Sequence, residues 1–276
     1  MGQKIYEGVT MRRTFTALLL AFAVVGCSIS RQQEAQMGAD YAMQINQQLP
    51  IVQDAEVNRY INLLGDSIAR LTSAPDHNWT FYIVDSPEVN AFAVPGGYIY
   101  VNRGLIARTD RMDELAGVLG HEIGHVVERH SVDQMEKAQR AELGIGLACV
   151  LTGVCGSQAA GTLINVAGTA VFAKFSRGAE IEADDVGFDN VVRAGISPQG
   201  MVTMFQKLLE ERRTRPSGVE AWFATHPLEE DRLQRVQARI AQIPAAQLSR
   251  LSRDSRNYQS FKRRLNSLPA SPAPRR

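Results

Sequence analysis

The sequence predicts an α+β fold, a mostly helical body with a small sheet beside it. Three observations carry this. Trp79–Val84 alternates apolar and polar residues as a strand does, and Asn90–Val94 and Tyr98–Asn102 are two further extended pieces joined by the turn-forming Pro95-Gly96-Gly97. Between Asp113 and His130, Leu115, Val118, Leu119, Ile123, Val126 and Val127 recur at three- and four-residue spacing, the period of a helix with one buried stripe. Of 276 residues, 45% are hydrophobic and 21% charged, enough to bury one core in one ordinary globular domain.

Taken in chain order, residues 1–26 read as a secretory signal. Arg12-Arg13 precede an apolar run from Phe15 to Val25, and Val24-Val25-Gly26-Cys27 ends it with a small residue before the cut. Met11 begins a better-proportioned signal than Met1. A cysteine directly after that small residue looks like a bacterial lipobox, which makes Cys27 a lipidated first residue; Ser28 behind it suits sorting to the outer membrane. The apolar run is too short to span a bilayer comfortably, which favours a cleaved signal over the alternative of an uncleaved membrane anchor, and a lipid anchors a chain without making it span. The expected location is the periplasmic face of the outer membrane.

Helices over about 33–48 and 54–72 brace the core, and the three strands follow. Asp110, with Asp113 and Glu114 behind it, marks the start of the Asp113–His130 helix. The stretch Leu143–Phe172 is apolar, but its glycines and the polar Thr152, Ser157, Gln158 and Asn165 argue against a membrane span. It reads as a helical hairpin or lid. With Cys27 taken by lipid, Cys149 and Cys155 are an even pair six residues apart, suited to a disulfide in an oxidising compartment or else two buried thiols. A helix containing Glu180 is closed by Gly195, and Ser197-Pro198 starts another to about Arg213.

The formal charge of +1 hides an asymmetry. From Arg232 to Arg276 there are eleven Lys/Arg and one acid, Asp254, so the remainder carries about −9. Residues 241–276 read as a basic helix and a Pro-rich disordered tail, which either meets an anionic surface or is simply solvated. An exported chain is not expected to meet nucleic acid.

Within the Asp113–His130 helix lies His121-Glu122-Ile123-Gly124-His125. Positions i and i+4 share a face, so His121 and His125 can offer two imidazole nitrogens to one Zn²⁺. Glu122 beside them is placed to take a proton from water that the metal polarises. Gly117 and Gly124 share the histidine face and leave room for a metal and a substrate. A third ligand is required. Position 128 is Glu128, not the glycine of the metzincin pattern, and His130, five residues past His125, turns away, either to the surface or to a place behind the ligands. Further on, Glu180, Ala183, Asp184 and Gly187 share a helix face, with Glu182 nearly opposite. Glu180 is therefore the third ligand, and Asp184 is set to hydrogen-bond a ligating histidine. Glu182 and Asp185 read as solvated.

Five segments together resemble the zinc endopeptidase family that includes HtpX and the type I CAAX prenyl protease. They are Val89 to Gly97, Gly104-Leu105-Ile106, the His121–His125 motif, Glu180 with Asp184, and Thr225-His226-Pro227 followed by Arg232. The likeness runs from about residue 34 to 240. It is nearest to small periplasmic lipoprotein members of the LoiP kind and to the catalytic half of BepA, with LoiP favoured because no helical repeat array follows. The resemblance implies a zincin-like (gluzincin) domain over 27–240 holding one Zn²⁺ per subunit. It implies that Asn90, Ala91, Phe92 and Ala93 form an edge strand that binds unfolded substrate by strand addition. It places His226 near the metal, either stabilising the oxyanion or closing the metal shell at rest. Arg232 would orient His226 or bind substrate carbonyls, or else form a surface salt bridge. The implied function is endoproteolysis of misfolded or unassembled envelope proteins. The alternative is a chaperone-like assembly lipoprotein in which cleavage is secondary.

Overall fold

The computed structural model describes residues 28–152, 174–227 and 230–269. The signal at 1–26, Cys27, Cys155, the end of the chain, most of the predicted lid and the side chain of Cys149 lie outside the described residues.

The chain opens with α1 (Arg31–Gln48), where Ser30 and Gln33 form a reciprocal capping box, and α2 (Ala55–Ala69), capped by Asp54. Three short strands follow, β1 (Thr80–Val84), β2 (Ala91–Val94) and β3 (Tyr98–Asn102), in the sheet order β1-β3-β2. β1 runs parallel to β3 and β2 antiparallel to it, with Ala91 opposite Val101. Gly96 and Gly97 turn β2 into β3 at φ 83° and 101°, a region that side chains rarely enter. β2 is thus an edge strand. The remaining helices are α3 (Arg103–Arg108), α4 (Met112–Val127), α5 (His130–Thr152), α6 (Arg177–Arg193), α7 (Gln199–Thr214), α8 (Pro216–Thr225), α9 (Glu230–Gln242), α10 (Ala245–Leu248) and α11 (Arg256–Ser267). Amphipathic α11 buries Tyr258, Phe261 and Leu265 in the main core, and Phe261 stacks on Tyr60 of α2 at 4.5 Å between ring centroids.

The centre of the molecule is α4, and here the structure corrects the sequence reading. The apolar period predicts one buried stripe and an open histidine face, whereas every residue from Met112 to Val127 is buried. The second side is covered by α6 and α7, which approach through glycines. A Cβ at Gly124 would lie 2.6 Å from the Ala183 carbonyl oxygen, and one at Gly117 would lie 2.8 Å from the Met201 side chain. The room these glycines make is filled by neighbouring helices, not by a metal or substrate. Gly124→Ala is therefore expected to destabilise. Overpacking between two backbones sits near the top of its usual range of about 1–3 kcal/mol, while alanine returns about 1 kcal/mol of helix propensity. The net loss of about 2 kcal/mol lowers Tm by roughly 4–8 °C. A melt at or above the wild-type temperature would mean that α6 can move aside freely.

The ends of α4 also differ from expectation. Asp110 does not start the helix, because Lys207 takes its carboxylate at 2.7 Å; its backbone N–H instead donates to Glu114 Oε2 at 2.6 Å, and the helix begins at Met112. Nor does the helix run to His130. Arg129 sits at φ 57°, the one non-glycine with positive φ among the described residues, and the chain turns there into α5. The Arg129 guanidinium bonds the buried Glu34 of α1 at 2.7 Å and the Ile29 carbonyl at 2.6 Å, while the Ile29 N–H donates to Glu136 Oε1. Those three contacts hold a conformation that costs about 1–3 kcal/mol when unsupported.

Candidate active site

α4 stacks His121 and His125 one turn apart, and α6 crosses it closely because Gly120 and Gly187 meet back to back. The side chain of Ser176 accepts from the Ala179 N–H and so begins α6 just ahead of Glu180. Glu180 and Asp184, one turn apart on the buried side of α6, consequently face the two histidines. His226 arrives from the C-terminal end of α8.

One nitrogen or oxygen from each of His121, His125, Glu180 and His226 lies within 4.8 Å of all the others, and all four residues are buried. The Nε2 atoms of His121 and His125 are 3.1 Å apart, and His226 Nδ1 is 3.2 Å from Glu180 Oε1 and 3.3 Å from His121 Nε2. Three imidazole nitrogens and a carboxylate converging on one point have few protons to share among themselves, and they are the donor set that a metal ion takes. Glu122 strengthens the fit. Both its carboxylate oxygens are buried without a hydrogen-bond partner among the described residues, as is His226 Nε2, which lies 3.6 Å from Glu122 Oε1. Buried polar atoms are normally satisfied, so these atoms are disposed toward a group the protein itself does not supply.

The electrostatics follow from burial and pairing. Burial pushes the Glu122 carboxyl above the usual carboxylate range and the His125 imidazole well below the usual histidine value. Burial also opposes charge on His226, but the facing Glu122 and Glu180 outweigh it and hold His226 above its ordinary value. For Glu180 and Asp184, burial is outweighed by His226 and the other histidines around the first and by Arg232 beside the second, so both stay below the usual range.

The structure brings Asp184 to His121, Oδ1 to Nδ1, at 2.8 Å. Arg232 differs from the sequence reading. It is not a surface salt bridge but a fully buried guanidinium that grips Asp184 through Nε and Nη2 (2.7 and 2.8 Å), Glu180 through Nη1 and the carbonyl of Pro227, the residue after His226, at 2.8 Å. Glu182 is likewise not merely solvated. It is 64% exposed, yet its Oε2 lies 3.1 Å from His130 Nε2, and His130 Nδ1 lies 2.9 Å from His125 Nδ1. Asp185 pairs across to Arg235 and Arg239 of α9. Two aromatic contacts had no sequence signal. Phe175 stacks on His125 at 4.0 Å, and Trp222 packs on His226 at 4.7 Å. Asn90, Ala91, Phe92 and Ala93 lie at and just before β2, which packs against α4; Phe92 stacks on Tyr100, and Ala91 and Ala93 are buried.

Comparison with known proteins adds descent to this geometry. The model of peptidase family M48 matches residues 55–240. The beta-barrel assembly-enhancing protease of Yersinia pestis is 34% identical over 227 residues, 79% of this chain and 46% of that protein. Metalloprotease YcaL of Escherichia coli (strain K12) is 33% identical over 186 residues, 64% of this chain and 70% of its own length. Metalloprotease LoiP of the same strain is 31% identical over 189 residues, 68% of this chain and 72% of its own. The chain spans about half the length of the assembly-enhancing proteases it matches.

Proposed function

Because this chain belongs to peptidase family M48, we propose that it is a zinc-dependent endopeptidase of the bacterial envelope, with His121, His125 and Glu180 as the metal ligands. The observation that carries this is the convergence of those three side chains beside the carboxylate of Glu122, which has no hydrogen-bond partner among the described residues. A nitrogen- and oxygen-donor set of this size suits Zn²⁺ among the common divalent ions. When bound, Zn²⁺ supplies Lewis acidity toward water and the peptide carbonyl. Glu122 takes the proton of the attacking water and delivers it to the leaving amine, a task suited to a carboxyl whose pKa burial has raised above the usual carboxylate range. Asp184 fixes the His121 ring, and Arg232 holds Asp184 and Glu180 together. The edge strand at Asn90–Ala93 would take an extended substrate segment through backbone hydrogen bonds, so unfolded chain is the substrate class.

The lipobox at Cys27 supports anchoring at the periplasmic face of the outer membrane, with residues 27–240 as the catalytic domain and 241–276 as a basic extension. No helix among the described residues is long and apolar enough to cross a membrane. Two E. coli and Yersinia relatives named for β-barrel assembly support a role in clearing misfolded or unassembled envelope proteins. The test is cleavage of unfolded casein by the lipid-free chain from Ser28. Cleavage should stop with a chelator and return with Zn²⁺; a zinc-loaded protein that leaves casein intact would favour the assembly-factor alternative.

One observation favours that alternative. His226 Nδ1 lies among the ligand atoms, where it could close the metal shell. The position of Nε2, near Glu122 and without a hydrogen-bond partner among the described residues, supports a donor to the oxyanion instead. His226→Ala is expected to lower kcat about 10²–10³-fold, the range for losing one oxyanion donor, with zinc retained. Faster basal cleavage in that variant would establish His226 as the closing ligand.

A further inference from the structure

The far nitrogens of the two α4 histidines are held in different ways. His121 Nδ1 meets the buried Asp184, itself gripped by Arg232, whereas His125 Nδ1 meets His130 Nδ1 head-on at 2.9 Å. Two ring nitrogens in that arrangement share one proton, so one ring must donate and the other accept. The third member decides which. Glu182, facing solvent, offers His130 Nε2 an acceptor at 3.1 Å, so the proton of neutral His130 sits on Nε2. His130 Nδ1 is then the acceptor and His125 Nδ1 the donor. His125 Nε2 is left with its lone pair, aimed at the cluster it shares with His121 and Glu180.

We propose that His130 and Glu182 are a positioning pair that fixes the tautomer and ring orientation of His125 for metal binding. The proposal rests on the reading of His125 as a metal ligand. The fold supplies the means. A continuous helix would carry His130, five residues on, away from His125, but the left-handed Arg129 breaks α4 and brings His130 back beside it. Glu34 and the Ile29 carbonyl hold Arg129 in that conformation. Phe175, stacked on His125, limits rotation of the ring from the other side. The two relays are unequal, since the one behind His121 is buried throughout and the one behind His125 ends in an exposed carboxylate.

Zn²⁺ affinity, measured by competition with a chromophoric chelator, should fall about 10–100-fold in His130→Ala, the range for a partner behind a ligating histidine, and by about the lower end of that range in Glu182→Ala. His130→Asn, whose Oδ1 occupies the place of Nδ1 and can accept from His125, should recover most of the loss. Long-range ¹H–¹⁵N spectra of the metal-free protein, which has five histidines, should show His125 protonated on Nδ1 in wild type and His130→Asn, and a tautomer mixture in the two alanine variants. Wild-type affinity in both alanine variants, or an Nε2–H tautomer for His125 in the wild-type protein, would overturn the proposal. If His130→Ala does not fold, the exposed Glu182→Ala still decides. His121→Ala separates the two readings. If it abolishes Zn²⁺ binding while His130→Ala leaves it unchanged, the relay alone fails; if it too binds normally, the metal site itself is misassigned.

Discussion

Glu122→Gln is expected to bind Zn²⁺ at the wild-type ratio and to cleave unfolded casein about 10²–10⁴-fold more slowly, the contribution of a well-placed general acid–base group. The reasoning is specific to this carboxyl. Neither of its oxygens has a hydrogen-bond partner among the described residues, so an amide of the same shape breaks no hydrogen bond and gives up only the charge contact with His226 Nε2 at 3.6 Å. What disappears is the capacity to accept a proton from water and release it to the amine. Metal content by plasma emission, run beside the cleavage rate, checks both halves. Undiminished cleavage at full zinc occupancy would remove Glu122 from the mechanism.

The largest loss of stability is expected from Arg232→Met. Its guanidinium is the cation that Asp184 and Glu180 share, and all three side chains are buried. Methionine fills much of the volume but leaves two carboxylates in a dry interior without their partner. Breaking such a pair from one side costs about 3–5 kcal/mol, or roughly 10 °C in Tm for a chain of this size. Zn²⁺ should return part of that, because a ligand that binds only the folded state stabilises it and this one restores positive charge beside Glu180. The metal-free melt is therefore the decisive measurement; a fall of only a degree or two would mean that the carboxylates take up protons or water at little cost.

Periodicity made the central helix, the two histidines and the choice of Glu180 over Glu182 as a facing carboxylate legible, because all three depend only on which residues share a helix face. Strand β3 was readable to its ends for the same local reason. What could not be read depends on partners distant in sequence. Arg232 looks like any residue of a charged helix until α9 is laid against α6. The glycines of α4 look like space for a ligand until Ala183 and Met201 fill it. The end of α4 carries no glycine signal, since an arginine adopts the left-handed conformation through contacts with Glu34 and Ile29 about a hundred residues earlier. The contact of His130 with His125 and Glu182 could not be read for that reason, as their meeting requires the break at Arg129.

The hold of Arg129 and Glu136 on Ile29 bears on how the enzyme would sit at its surface. With acyl chains on Cys27, only two residues separate the lipid from a buried, hydrogen-bonded anchor point, a reach of about 7 Å when fully extended. A chain lipidated at Cys27, as proposed, would not swing on a long leash: its folded body would stay within that short reach of the bilayer, and its capture radius would be set by the slack in an unfolded substrate chain more than by travel of its own.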